Sequence, residues 1–249
     1  VTATEAGTSH EFTGLPIGAY VIRAFDSKGT YGLMVANTYD ADGNYMASKA
    51  ASVTAKMEGY NVGKTTDDKF VSRGQRVNFT VTTQMAPKTN EGGDTLTQFK
   101  VVDTSTGLKA DSFTLDSVKI AGTKANVDAS KATAVSNNDG TVTYTVDLSD
   151  LIETTESGAT VEVKYSAVVE NDHTYNNSAT ASAETVNYTP GTVNGYEGNV
   201  TLKKVDKNSN VLNGAEFQLL KGTTPVSVVK VSGGVYKKAL EGETGATTT

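Results

Sequence analysis

Residues Asn61 to Thr83 read NVGKTTDDKFVSRGQRVNFTVTT, and their pattern decides the fold class. Val77, Phe79 and Val81 alternate with Asn78, Thr80 and Thr82. A period of two puts the apolar set on one face of the chain and the polar set on the other, as in a half-buried strand. The turn Ser72-Arg73-Gly74 precedes that strand, and before the turn Lys64 stands between a polar loop and a strand start. By residue type alone, Lys64 reads as a solvated side chain at the opening of a β-sandwich, because lysine is almost never fully buried without a partner.

The same period recurs downstream. Val142, Tyr144 and Val146 alternate with threonines, as do Val161, Val163 and Tyr165 with their neighbours. The pattern predicts strands at 77–83, 97–102, 113–120, 141–147, 159–169 and 178–188, with Asn138-Asp139-Gly140 as the clearest turn between them. DLSDLIE at 147–153 can form one helical turn, capped by Ser149 or Asp147. The chain has 249 residues, 24 Gly, 4 Pro and no long helical pattern, enough for two or three domains. The fold class is therefore all-β, in tandem β-sandwich domains, whose arrangement resembles the immunoglobulin-like architecture.

Composition excludes several functions. The net charge of −6 comes from 22 basic and 28 acidic residues with no basic block, which argues against a nucleic-acid partner. No apolar run approaches the roughly 20 residues that cross a membrane. No signal peptide or C-terminal anchor is recognisable, so an exported protein is expected here as a fragment or processed form. Cysteine is absent, which removes disulfides and thiol catalysis and leaves an exported β-protein without its usual covalent staple. The histidines His10 and His173 are far apart and have no ligand spacing around them. Asp40, Asp42 and Asn44 in DADGNY lack the EF-hand positions of glycine and glutamate, so this stretch reads as a hairpin turn rather than a metal site.

Two further stretches give Lys64 a second reading. FKVVDTSTGL (99–108) carries Asp103 at the end of an apolar strand, and YNNSATASAETVNY (175–188) carries Asn177 entering a last strand before Pro190-Gly191. Lysine, acid and asparagine in this order resemble the isopeptide-forming domains of sortase-assembled fimbrial shaft subunits, the pilins of Gram-positive bacteria. The resemblance rests on Lys64 followed by Val71, Gly74, Val77 and Phe79-Thr80-Val81-Thr82, on Val101, Asp103, Thr104, Gly107 and Leu108, and on Asn177, Ala179 and Thr180. It departs at Gln75, where that family usually has an acid.

The flanks are similar to a second module type, the collagen-adhesin B-type domain. HEFTGLPIGAYVIRAF (10–25) resembles the end of such a module, with Gly18, Tyr20 and Ile22 in place but Ala24 where its acid belongs. NVTLKKVDKNSNVLNGAEFQLLK (199–221) resembles the beginning of one, and puts Lys204 at that family's cross-linking lysine. The partners of Lys204 are expected beyond Thr249. The resemblances divide the chain into 1–58, the C-terminal part of a β-sandwich domain; 59–192, a central isopeptide-forming A-type domain; and 193–249, the start of a B-type domain.

What the resemblance implies is a structural subunit, not an enzyme turning over a substrate. Lys64 would join Asn177 in an intramolecular amide, with Asp103 as the catalytic acid, and neither metal nor other cofactor takes part. Subunits would be linked head to tail by a sortase at a surface lysine near the end of the first domain. In SVTAKMEGY (52–60) that lysine is Lys56, with Lys49 next. The implied location is the cell surface, in a pilus attached to the cell wall. A stalk module of an adhesin that is never polymerised would share every module motif. An enzyme with β-sandwich accessory domains is the third class, but the sequence shows no Ser-His-Asp set, metal cluster or phosphate loop to support it.

Overall fold

A computed structural model describes the chain except residues 1–2, 7–8, 23, 25–28, 32–33, 41, 47–50, 56, 91–93, 171–173 and 185. Its centre is a sandwich of ten strands: β1 (Gly63–Thr66), β2 (Arg76–Gln84), β3 (Lys100–Thr106), β4 (Thr114–Ile120), β5 (Thr123–Ala125), β6 (Ala132–Ser136), β7 (Val142–Asp147), β8 (Thr160–Val168), β9 (Thr174–Ser182) and β10 (Gly191–Tyr196). One sheet has the order β5-β4-β8-β2-β1 and the other β6-β7-β3-β9-β10, each with antiparallel neighbours.

Every second residue of the long strands faces the space between the sheets. Val77, Phe79 and Val81 of β2 and Val161, Val163, Tyr165 and Ala167 of β8 form one wall; Val101 of β3, Val142, Tyr144 and Val146 of β7, and Tyr175, Ala179 and Ala181 of β9 form the other. Each buried valine contributes about 1.5–3 kcal/mol of transfer free energy, so the polar threonines between them are fixed outward by register. The helical turn foreseen at 147–153 is a short 3-10 helix, Ser149–Leu151, and Asp147 Oδ1 accepts from the Ser149 N–H at 3.0 Å. At Asn138-Asp139-Gly140 the chain reverses, with Gly140 at φ 83°.

Three predicted boundaries move. The strand expected at 97–102 runs from 100 to 106, and that expected at 178–188 runs from 174 to 182, because in both the alternation continues through buried polar residues. Asp103 therefore lies mid-strand rather than at a strand end, and Asn177 is in the penultimate strand rather than the last. The boundary expected after residue 192 falls inside β10, which pairs with β9 from Thr174↔Tyr196 to Ala179↔Gly191. Gly191 and Gly195 both lie where the backbone runs close to its neighbours. A Cβ on Gly191 would lie 2.3 Å from the Val62 carbonyl oxygen, and one on Gly195 would lie 2.0 Å from the Tyr175 ring.

The two sheets meet along one edge, where β1 and β10 run side by side. Val62 N–H donates to Thr189 O at 2.8 Å, Thr189 N–H to Tyr60 O at 2.9 Å, and Val71 N–H to Tyr196 O at 2.9 Å. The flanking segments are two-stranded pairs. In 1–59, Ala3–Ala6 pairs with Ser9–Phe12, Ala19–Ile22 with Met34–Asn37, and Gly29–Tyr31 with Met57–Gly59. In the C-terminal part, Leu220–Lys221 pairs with Thr224–Pro225 and Val228–Ser232 with Val235–Lys238. Val200, in the B-type-like stretch, is 76% exposed. Arg73, in the turn before β2, reaches Glu243 with Nη1 and Oε2 2.7 Å apart. In DADGNY, Asp40 Oδ1 accepts from the N–H groups of Asp42 and Asn44, closing the hairpin turn with its own backbone.

Gly191→Ala should destabilise the sandwich by about 1–3 kcal/mol, the usual cost of overpacking, because the added methyl meets a backbone carbonyl that cannot rotate away. Urea unfolding of the variant and the parent, both carrying Asn177→Ala, measures it.

Candidate cross-link site

Three of the predicted residues converge between the sheets. Lys64 is the second residue of β1, paired with Val81, and its burial pattern points it inward. Asp103 and Asn177 come from the facing sheet. Asp103 pairs with Ala179 and Asn177 with Ser105, so the two are diagonal neighbours on one face. The side chains of Lys64 and Asp103 are 0% and 3% exposed, and Asn177 as a residue is 0% exposed. The solvated reading of Lys64 is thereby excluded.

The group that ties them together is Tyr165 of β8, which sequence reading placed only as an inward-facing core residue. Lys64 Nζ donates to Tyr165 Oη at 2.9 Å, and Asn177 Nδ2 donates to the same oxygen at 2.7 Å. Tyr165 donates its own proton to Asp103 Oδ2, and Lys64 Nζ also hydrogen-bonds that oxygen. A phenol has one donor and two acceptor sites, and here all three are used. Its signal in the sequence was modest: a tyrosine ending an inward Val-x-Val-x-Tyr run must find a partner for its hydroxyl.

The protonation state follows from counting donors. An ammonium at Lys64 has three N–H bonds and two partners; an amine has two, both used, with its lone pair left over. Burial pulls Lys64 down from 10.5 to about 8, against the opposing charge and hydrogen bond of Asp103. The walls are aromatic, with Nζ 5.2 Å from the Phe79 ring centroid and 5.3 Å from that of Tyr165. Burial likewise pushes the Asp103 carboxyl up, against the pull of the Lys64 charge. Burial, and then the Asp103 charge, hold the Tyr165 phenol well above its ordinary range, so it stays protonated.

Two buried oxygens, Asp103 Oδ1 and Asn177 Oδ1, have no hydrogen-bond partner. A buried acceptor without a donor costs about 1–3 kcal/mol. Because Asp103 Oδ2 already accepts two hydrogen bonds, a proton on the carboxyl belongs on Oδ1, and Asn177 Oδ1 is a buried acceptor still without a donor. With the proton placed on Asp103 Oδ1, the three side chains would be an amine with a free lone pair, a carboxamide and a carboxylic acid.

The other predicted residues lie elsewhere. Lys204 is exposed, and among the described residues none makes a side-chain hydrogen bond or ion pair with it. Lys49, Lys56 and His173 lie outside the described residues. Among the described residues no group of three or more histidine and acidic side chains is placed to hold a metal ion. Among the described residues no helix is long and apolar enough to cross a membrane.

No family model and no curated protein matches this sequence. The chain is similar to several solved structures. The full-length major pilin SpaD of Corynebacterium diphtheriae is 17% identical over 78% of this chain and 48% of that one, with a TM-score of 0.39. For BcpA, the major pilin subunit of Bacillus cereus, the figures are 17%, 94%, 70% and 0.37. For the N-terminal domain of the Streptococcus gordonii adhesin Sgo0707 they are 13%, 55%, 32% and 0.38. The chain thus spans less than half the length of the SpaD and Sgo0707 structures.

The depressed pKa of Lys64 has a stability consequence where no bond can form. Between pH about 8 and 10.5 the unfolded chain holds more protons at this lysine than the folded one, so stability rises with pH through that window. Asn177→Ala should show this rise in denaturant unfolding, and Lys64→Met/Asn177→Ala should lack it.

Proposed function

We propose that the chain is a structural shaft subunit of a covalently polymerised cell-surface pilus, its central sandwich closed by an autocatalytic Lys64–Asn177 amide bond. The observation that carries the reading is a lysine amine, a carboxylic acid and a carboxamide, all buried and joined through one hydroxyl. Neutral Lys64 attacks Cγ of Asn177 while protonated Asp103 polarises its carbonyl; the C–Nδ2 bond breaks, a new C–Nζ bond forms and ammonia leaves. The fold supplies most of the rate by holding the groups together. It happens once per chain.

The bond would join β1 of one sheet to β9 of the other. It would close a loop of roughly 110 residues, worth on the order of 4–5 kcal/mol by the chain-entropy account used for disulfides. Tension entering through β1 would cross to β9 through a covalent link. β10, outside the loop, would be held by hydrogen bonds alone.

Polymerisation needs an exposed amine, the opposite environment from Lys64. We assign this role to Lys56, with Lys49 next; the segment leading into it, residues 51–55, is exposed. Sortase and identical subunits are then the partners, and the cell-wall-attached pilus the location.

The intact mass should fall below the value calculated from sequence by one ammonia, and Asp103→Ala should restore it. A loss of two would mean a second bond in a flanking segment, against Ala24 at the missing acid position and the exposed Lys204. An unreduced mass in the parent chain would refute the reading.

The shaft assignment predicts that Lys56→Arg, expressed with its sortase, collapses the high-mass ladder of the cell-wall fraction to monomer on a denaturing gel. A ladder that persists moves the acceptor to Lys49; a ladder insensitive to both substitutions contradicts both acceptor assignments. No ladder in the parent chain favours an unpolymerised adhesin stalk.

A further inference from the structure

We infer that Tyr165 is a catalytic residue of this reaction, the relay that carries a proton to the departing nitrogen of Asn177. The inference rests on the amide-forming reading above and adds a step that the lysine, acid and asparagine cannot complete as they are placed. Asp103 makes no hydrogen bond to Asn177: its Oδ2 is taken by Lys64 and Tyr165, and its Oδ1 has no partner. The nitrogen that must leave, Nδ2, is bonded to the hydroxyl of Tyr165. That hydroxyl is the one described group in hydrogen-bond contact with the attacking nitrogen, the acid and the leaving nitrogen together.

The protons balance along this path. Attack by the neutral amine gives a tetrahedral carbon whose former Nδ2 is now an amine with a lone pair. The attacking nitrogen must shed one proton, and the leaving nitrogen must gain one to depart as ammonia. As Nζ attacks, the Asp103 Oδ1 proton moves to the Asn177 carbonyl oxygen and leaves a carboxylate; Lys64 Nζ passes its extra proton to Asp103 Oδ2, Oδ2 passes it to the Tyr165 oxygen, and Tyr165 gives its own to Nδ2. When the C–Nδ2 bond breaks and the carbonyl re-forms, the carbonyl oxygen returns its proton to Asp103 Oδ1. Asp103 and Tyr165 end as they began, and no outside acid, base or water is required in a site closed to solvent. The phenol is held for this by its ring, stacked on Phe79 at 5.1 Å between centroids and packed on Phe113 at 5.2 Å.

The test uses full-length chains recovered unlinked from inclusion bodies, refolded by dilution, and followed by intact mass and by enzymatic assay of released ammonia. Parent chain should lose one ammonia on refolding. Tyr165→Phe should refold to the near-ultraviolet spectrum of Asn177→Ala yet form the bond on the order of 100-fold more slowly or worse, the usual contribution of a positioned proton donor. Site-specific 3,5-difluorotyrosine at 165 keeps ring and hydroxyl but acidifies the phenol. A relay then shifts the pH profile of bond formation, and a packing role leaves it unmoved. Tyr165→Phe linking as fast as the parent, or an unchanged profile with difluorotyrosine, overturns the relay while leaving the amide intact. A parent chain that never loses ammonia overturns the underlying reading instead.

Discussion

A lysine and an aspartate buried face to face between two sheets is the constraint on which the rest of this sandwich depends. Two charges without water cost several kcal/mol each, and their attraction repays this only with good geometry and every remaining hydrogen-bonding position filled. Here the positions are not filled: one oxygen of Asp103 and one of Asn177 lack donors. Moving one proton from the ammonium to the carboxylate removes both charges and provides a donor where two acceptors stand unpaired. The same transfer makes lysine a nucleophile and aspartate an acid. Electrostatic relief and chemical reactivity are one event.

The fold divides these groups between its two layers. Lys64 and Tyr165 belong to one sheet, Asp103 and Asn177 to the other, so the site exists only once the sheets have closed. Around it the walls are valine and aromatic, with the rings of Phe79, Phe113 and Tyr144 each in contact with that of Tyr165. These rings exclude water, which keeps the lysine's pKa low. At the adjoining edge, Gly191 lets β10 run against β1 at a distance no side chain would permit. A covalent tie between sheets at this corner, as proposed above, would let a cysteine-free β-protein bear load.

Much of this was legible in the residues. The period-two runs gave the strands, their outward threonines and the all-β class, because burial of one face dominates strand energetics. What failed was informative. Asp103 and Asn177 were placed near strand ends because a polar residue on an inward position breaks the alternation that marks a strand. Inward polar residues break it here because they are the site, which is where local rules are expected to fail. β10 carries no period-two signal because close backbone approach demands glycine at 191 and 195, where an apolar side chain would otherwise mark a strand. Tyr165 was read as core because a hydroxyl's partner, supplied by residues far off in sequence, is invisible until the sheets are assembled. The exposed Val200 and the rest of the B-type-like stretch show the reverse limit, a strand-like pattern without a covering face.

The claim that Lys64 and Asn177 become one covalent unit is tested most directly by mapping the peptides of the native chain. Trypsin should be unable to cut at an acylated Lys64. The account predicts a branched species joining residues 57–69, with Lys64 uncut, to residues 165–203, its mass one ammonia below the sum of the two peptides and its fragments placing the branch at Lys64 and Asn177. Recovery of residues 57–64 and 165–203 as separate, unmodified peptides in full yield would contradict it.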